Sequence, residues 1–170
     1  MILQYFLKKE NKQKIYSDEV YIKIVDLSRD LLNNNDFFTI KNYRSSFEII
    51  SIITIFYLKN FKELKIKDYD IVNEHIINNL VKDLDNSLRE NGIGDMSIGK
   101  YVKSYVKKFY YRLSKLDIIL NDLNNHDFHK YLEELKIIKQ NKTHNVLIKL
   151  MHIYKEIHNS LSVNKNVLNY

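Results

Sequence analysis

Cysteine and proline are both absent from the 170-residue chain, and glycine occurs only three times. Without cysteine there is no disulfide framework, no thiolate metal site and no cysteine nucleophile, which fits a reducing compartment. All three glycines, Gly92, Gly94 and Gly99, fall in the stretch GIGDMSIGKY at 92–101. This stretch is therefore the first candidate for a loop or a site.

Long apolar runs are also missing. The longest, FEIISIITIFYL at 47–58, is too short to span a bilayer and carries Glu48, so it is typical of a buried core helix. The first residues, MILQYFLKKENKQK, lack the apolar core of a signal peptide and the composition of an organelle leader, so neither export nor import is expected. A hydrophobic content of 45% excludes a disordered chain.

Arginine is scarce among the basic residues, with four in a total of 27. The abundance of lysine, asparagine and isoleucine suggests an AT-rich genome, and arginine is the better residue for phosphate recognition. The charge is nevertheless segregated along the chain. Residues 68–95 hold seven acidic residues against two basic ones, whereas 96–116 hold six basic residues and no acidic one.

The apolar residues recur at helical spacing throughout. Val72, Ile76, Leu80, Leu84 and Leu88, for example, repeat every four residues, which predicts an amphipathic helix. The segment at 44–60 is apolar almost all round; a buried strand is the alternative, and its length favours a central helix. We expect one all-α domain, a bundle of about six helices over 14–165, after a basic N-terminal segment at 1–13. The predicted helices cover residues about 14–32, 44–60, 71–90, 97–120, 127–139 and 145–161.

The glycine stretch resembles a phosphate-binding loop, because Gly94 to Lys100 reads G-x-x-x-x-G-K. Such a loop needs a buried parallel strand before it and a Ser or Thr after the lysine, and here a helix precedes and Tyr101 follows. A structural joint is the simpler interpretation. Gly92 can take the left-handed conformation at a helix end, and Asp95 or Ser97 can cap the next helix. Gly99 costs stability inside that helix, which suggests close approach by another helix or by a partner.

A predicted basic face follows the joint. Its six cations are Lys100, Lys103, Lys107, Lys108, Arg112 and Lys115. One interpretation is a docking surface for RNA, a ribosome or lipid headgroups. The other is a solvated face that the acidic helix before it partly neutralises, and the pattern leaves both open. The basic face also leaves open an alternative function, that of a small basic helical protein that binds RNA or DNA and has no respiratory role.

No catalytic, metal or cofactor site is predicted. His126 and His129 have helical i, i+3 spacing, but only Asp122 and Asp127 stand nearby, and a closed metal site needs four ligands and a second shell. No Ser-His-Asp set and no matched carboxylate pair can be argued from spacing.

Residues 80–113, LVKDLDNSLRENGIGDMSIGKYVKSYVKKFYYRL, resemble the signature of the ubiquinol–cytochrome c chaperone family. Weaker similarity extends the resemblance to residues 24–117, and Ser46, Ile53 and Tyr111 depart from the family pattern. The matching positions are Asp83, Asp85, Leu88, Arg89, Glu90, Gly92, Gly94, Asp95, Ser97, Gly99, Lys100, Phe109, Tyr110 and Arg112.

The resemblance implies an all-helical, non-catalytic assembly factor for the cytochrome bc1 complex. Its expected client is newly made cytochrome b, and its expected partners include the ribosome or its RNA and a second assembly factor; DNA is not expected. An apolar groove lined by the central helix and by Tyr and Phe side chains suits such a client. The expected location is the bacterial cytoplasm with peripheral contact to the inner membrane, or the matrix side in a eukaryote.

Overall fold

The computed structural model describes residues 2–34, 36–39 and 41–168, with side chains described between Lys12 and Val163. The all-α prediction is confirmed, since this part of the chain holds six α-helices and no β-strand. No helix among the described residues has the length and apolarity needed to cross a bilayer. The helices are α1 (Ile2–Asn33), α2 (Tyr43–Glu63), α3 (Tyr69–Glu90), α4 (Asp95–Asn121), α5 (Asn125–Glu134) and α6 (Thr143–Leu168), with a short 3-10 turn at Gln140–Lys142.

Helix α2 is the centre of the bundle. It packs against α1, α3, α4 and α6, and every residue from Ser51 to Phe61 is buried. A capping box opens it, because the Asn42 side chain accepts from the Ser45 amide while the Ser45 hydroxyl accepts from the Asn42 amide. The prediction of a helix buried on all sides is confirmed, and the strand alternative is wrong.

Helix α1 is longer than predicted. It begins at Ile2, whereas the periodic pattern placed its start near residue 14. The residues before that point are mostly good helix formers such as Leu, Lys, Glu and Gln, and no proline or glycine interrupts them. The division of the chain at residues 13 and 14 stays a prediction.

Helix α5 is shorter than predicted, ending at Glu134 and not near 139. Lys136 takes a left-handed conformation with φ of 54°, and the chain then runs extended. An antiparallel bridge pairs Phe38 with Ile138, and the Thr39 amide donates to the Ile137 carbonyl at 2.9 Å. Ile138 is buried as the periodicity implied, but from extended backbone.

Helices α3 and α4 form an antiparallel pair beside α2. All five predicted core residues of α3, from Val72 to Leu88, are buried. In α4 the buried residues are Ile98, Phe109, Leu116 and Leu120. None of residues 99–108 is buried, so the first half of α4 lies more openly on the surface than the second half.

Candidate functional site

The loop that joins α3 to α4 lies within the signature at 80–113 and is called the signature loop. Its first part ends α3 in a conformation that requires glycine. Gly92 has φ of 83°, its amide donates to Arg89, and the Ile93 amide donates to Leu88. These two bonds form a Schellman motif, in which the residue after the last helical turn must be left-handed. The predicted role of Gly92 is confirmed.

The predicted cap of α4 is wrong in detail. Gly94, and not Asp95 or Ser97, occupies the N-cap, and no side chain caps the helix. The Gly94 carbonyl accepts from the Ser97 and Ile98 amides at 2.9 and 3.1 Å. Asp95 instead lies in the first turn, where its negative charge favours the positive end of the helix dipole.

Arg89 ties the two helices together. Its Nε donates to Asp85 at 2.7 Å, one turn back on α3, and its Nη1 donates to Asp95 at the start of α4. The hydrogen bonds to Asp85 and then to Asp95 raise the pKa of Arg89. All three are signature positions, and Arg89 links the end of α3 to the start of α4 across the turn.

Asp83, another signature residue, connects α3 to α1. Its Oδ2 accepts from the Tyr21 hydroxyl at 3.0 Å. Burial, followed by the negative charge of Asp83, raises the pKa of Tyr21 above its ordinary value. The acidic signature positions therefore make contacts within the fold.

Neither the phosphate-loop interpretation nor close helix packing at Gly99 agrees with the structure. The loop stands between two helices, without the strand that a phosphate-binding loop requires. A methyl group added at Gly99 would meet nothing within 4 Å, so no other described helix approaches it. Approach by a partner stays a prediction.

The six cations of the basic face separate into two groups. Lys100, Lys103 and Lys107 are exposed, and within the described chain no ion pair or side-chain hydrogen bond joins them to another residue. Lys108 lies 4.7 Å over the Tyr105 ring, and Lys115 bonds Glu134 at 3.2 Å.

Arg112 turns inward. Its Nε and Nη2 donate to the two carboxylate oxygens of Glu48 at 2.8 and 2.9 Å. The Glu48 side chain is only 4% exposed and that of Arg112 19%, so this bidentate pair is largely removed from water. The hydrogen bonds to Glu48 raise the pKa of Arg112. In the sequence, Glu48 stands out only as a charge in an apolar helix. Arg112 follows the apolar Phe109 by three positions, and this helical spacing is the signal that Arg112 lies on the buried side.

A second buried cation was missed by sequence reasoning. The Lys59 side chain, 6% exposed, extends from the apolar helix α2 to Asp117 at 2.7 Å and to Glu63 at 3.4 Å. It also donates to the side-chain oxygen of Asn121. These partners compensate the desolvated ammonium group, which explains how α2 tolerates a lysine in its buried half.

A groove of about 450 Å³ opens between α1, the start of α2, and α3. Phe47 and Ile50 of α2 and Leu80 and Leu84 of α3 line it, together with polar groups that include Asp83. Tyr43 also borders it, and its buried hydroxyl has no hydrogen-bond partner among the described residues. The groove lies beside the central helix and includes Phe47 and Tyr43, the residue types that the resemblance implied for a client groove. Binding of a client there stays a prediction.

Metal-binding geometry is not found in the described part of the chain, where no three His, Asp or Glu side chains converge. His129 lies 3.8 Å from Glu133, one turn along α5. His126 contributes its backbone amide to the Asn124 cap.

Comparison with known proteins adds two findings. The family described as ubiquinol-cytochrome C chaperone matches residues 36–151. The fold is similar to the crystal structure of the Cbp3 homolog from Brucella abortus, with a TM-score of 0.73 and 21% identity over 93% of this chain and 88% of that one. No curated protein matches the sequence.

Proposed function

The chain belongs to the ubiquinol–cytochrome c chaperone family, and from this premise we propose that it assists assembly of the cytochrome bc1 complex by binding newly made cytochrome b. Family membership also confirms the prediction of a non-catalytic protein. The observation that carries the proposal is the family match, which spans the whole signature at 80–113.

The groove is the proposed site for the client. Its volume of about 450 Å³ and its apolar floor fit one face of a hydrophobic helix, as in other helix-in-groove complexes. Phe47 and Ile50 at the start of α2 supply part of this apolar lining, and Leu80 and Leu84 of α3 supply the rest. Arg29 of α1 and Asp83 of α3 add charged groups to the lining on opposite sides of the groove.

The signature loop has a supporting role in this proposal. Arg89, Asp85 and Asp95 link α3 to the start of α4, and α3 forms one wall of the groove. The loop therefore acts on the client site through the position of α3. Contacts with the ribosome, with a second assembly factor and with the inner membrane belong to the same proposal, as does a cytoplasmic location beside that membrane.

Deletion of the gene tests the proposed function. We expect loss of the cytochrome b haem signal and of assembled bc1 complex, while other respiratory complexes persist. Normal haem spectra and normal bc1 levels in the deletion strain would refute it.

A blocked groove tests the proposed client site. Ser46 is exposed, lines the groove, and bonds only the Asn42 carbonyl next to its own helix, so Ser46→Trp fills the groove with little effect on the fold. Ser162→Trp is the matched control, since its hydroxyl also bonds only its own helix, α6. We expect Ser46→Trp alone to lower bc1 levels, with both variants melting like the parent protein.

A further inference from the structure

We propose that α4 lies against an anionic lipid surface through one exposed line of side chains, the outward stripe. This inference relies on the proposed function only for its setting beside a membrane. The outward stripe consists of Met96, Lys100, Lys103, Lys107, Tyr111, Ser114 and Ile118.

Helix geometry places these residues in one line. Successive members are three or four positions apart, which keeps them on a single side of an α-helix. All of them are exposed, and the buried residues Phe109 and Leu116 lie on the opposite side. At a rise of 1.5 Å per residue, the line from Met96 to Ile118 is about 33 Å long.

The central part of the outward stripe carries free positive charge. Lys100, Lys103 and Lys107 have no partner among the described residues, and no acidic residue occurs between 96 and 116. The nearest acid in sequence, Asp95, is held by Arg89. Anionic lipid headgroups therefore have unneutralised cations to meet.

The two ends of the outward stripe are apolar. Met96 is fully exposed, and Ile118 is 65% exposed. Both can enter the headgroup boundary, while the long lysine side chains keep their ammonium groups in water.

These features favour lipid over RNA. Arg112, the arginine of the basic face, is held by Glu48 and cannot reach phosphates without leaving a buried carboxylate unpaired. The Tyr111 ring centroid lies 5.3 Å from the Lys115 ammonium and 5.5 Å from the Arg112 guanidinium. The ring therefore already has cations stacked against it where a base would have to stack. Met96 and Ile118 offer nothing to a phosphate backbone but gain from burial in a bilayer.

Vesicle flotation with the purified full chain tests the proposal. We expect binding to vesicles of phosphatidylcholine mixed with phosphatidylglycerol, weakened by salt, and little binding to phosphatidylcholine alone. A lysine close to such a surface contributes about fivefold to binding, so Lys100→Gln, Lys103→Gln and Lys107→Gln together should weaken it about 100-fold.

A charge-matched control distinguishes the effect of the outward stripe on vesicle binding from the effect of the protein's net charge. Lys23→Gln, Lys130→Gln and Lys155→Gln remove three exposed charges from α1, α5 and α6. They should weaken vesicle binding no more than several-fold. Equal losses in both triple variants would overturn the proposal, because net charge alone would then explain the binding.

The apolar ends and the RNA alternative are tested in the same assay. Met96→Ser should weaken vesicle binding several-fold and leave the melting temperature unchanged, since Met96 contacts only solvent. Failure to bind anionic vesicles, with salt-sensitive binding of a labelled RNA that the stripe triple variant abolishes, would overturn the lipid assignment. Loss of bc1 complex in the gene deletion does not depend on either result.

Discussion

The two halves of α4 carry similar cations and use them differently. In the first half, residues 95–108, Lys100, Lys103 and Lys107 face solvent. In the second half, residues 109–121, Arg112 pairs with Glu48 of α2 and Lys115 with Glu134 of α5. A count of positive charges along a helix therefore does not measure its capacity to bind an anionic partner.

The difference comes from what each half packs against. The second half runs alongside α2, which carries two buried charges, Glu48 and Lys59, and each of them pairs with an opposite charge on α4. The first half is attached to α2 by aromatic rings instead. Tyr105 packs edge-on against Tyr43 and Phe47, with ring centroids 5.2 and 4.8 Å apart.

Removing the inward cation should give the largest effect. Arg112→Ala leaves the Glu48 carboxylate buried and unpaired, so we expect a loss of about 3–5 kcal/mol in the free energy of unfolding, measured in urea. Lys103→Ala, in the first half, should stay within about 0.5 kcal/mol of the parent protein. Similar losses in both variants would erase the distinction between the halves. The double variant Glu48→Met, Arg112→Met should recover much of the loss.

The second buried cation offers a smaller test. Lys59→Met keeps the apolar length of the side chain but removes its charged hydrogen bonds to Asp117 and Asn121. Because Asp117 is partly exposed and water can replace the ammonium group, we expect a loss of about 2 kcal/mol in the same urea measurement. Lys62→Met, on the exposed side of the same helix, is the control and should change little.

The glycines of the joint should respond with opposite signs. Gly92→Ala forces a Cβ into a left-handed conformation and should destabilise by about 1 kcal/mol. Gly99→Ala lies in a right-handed helix with open space around the new methyl group, so it should stabilise by up to about 1 kcal/mol. Thermal melting checks both. A destabilising Gly99→Ala would mean that the start of α4 is packed more tightly than it is in this structure.

The smallest expected change in stability comes from Tyr43, whose ring attaches the first half of α4 through Tyr105 and whose hydroxyl ionises at high pH. Burial, followed by Tyr105 and Asp83, raises the pKa of Tyr43 to about 12. Because the folded protein favours the protonated phenol, this contribution is complete below about pH 10 and is lost as the pH rises to about 12. Tyr43→Phe should remove that loss, which we expect to be at most about 1 kcal/mol because the ring is partly exposed. Urea unfolding at pH 8 and at higher pH, compared between the two proteins, measures it.

Most of the fold followed from apolar spacing, but helix ends and charge pairing did not. The four-residue repeat of α3 identified all five of its buried residues. The end of α5 was missed because Lys136 turns left-handed without a glycine, and Ile138 remains buried either way.

The candidate site was less predictable than the fold. The signature located the joint, and the prediction that Gly92 is left-handed was correct. Nothing in the local pattern shows that Arg112 has a partner 64 positions away or that three helices leave a groove beside Asp83. Such pairings depend on tertiary packing between segments that are distant in sequence.

The bridge between Phe38 and Ile138 has a consequence for how the molecule folds. The hydrogen bond beside it, from Thr39 to Ile137, joins residues 98 positions apart. Helices α3 and α4, in contrast, are joined by a loop of only a few residues. Local contacts form quickly and distant ones late, so we expect the acidic and basic helices to dock first and the bridge to close last. Weakening the bridge should then speed unfolding and leave the rate of folding nearly unchanged.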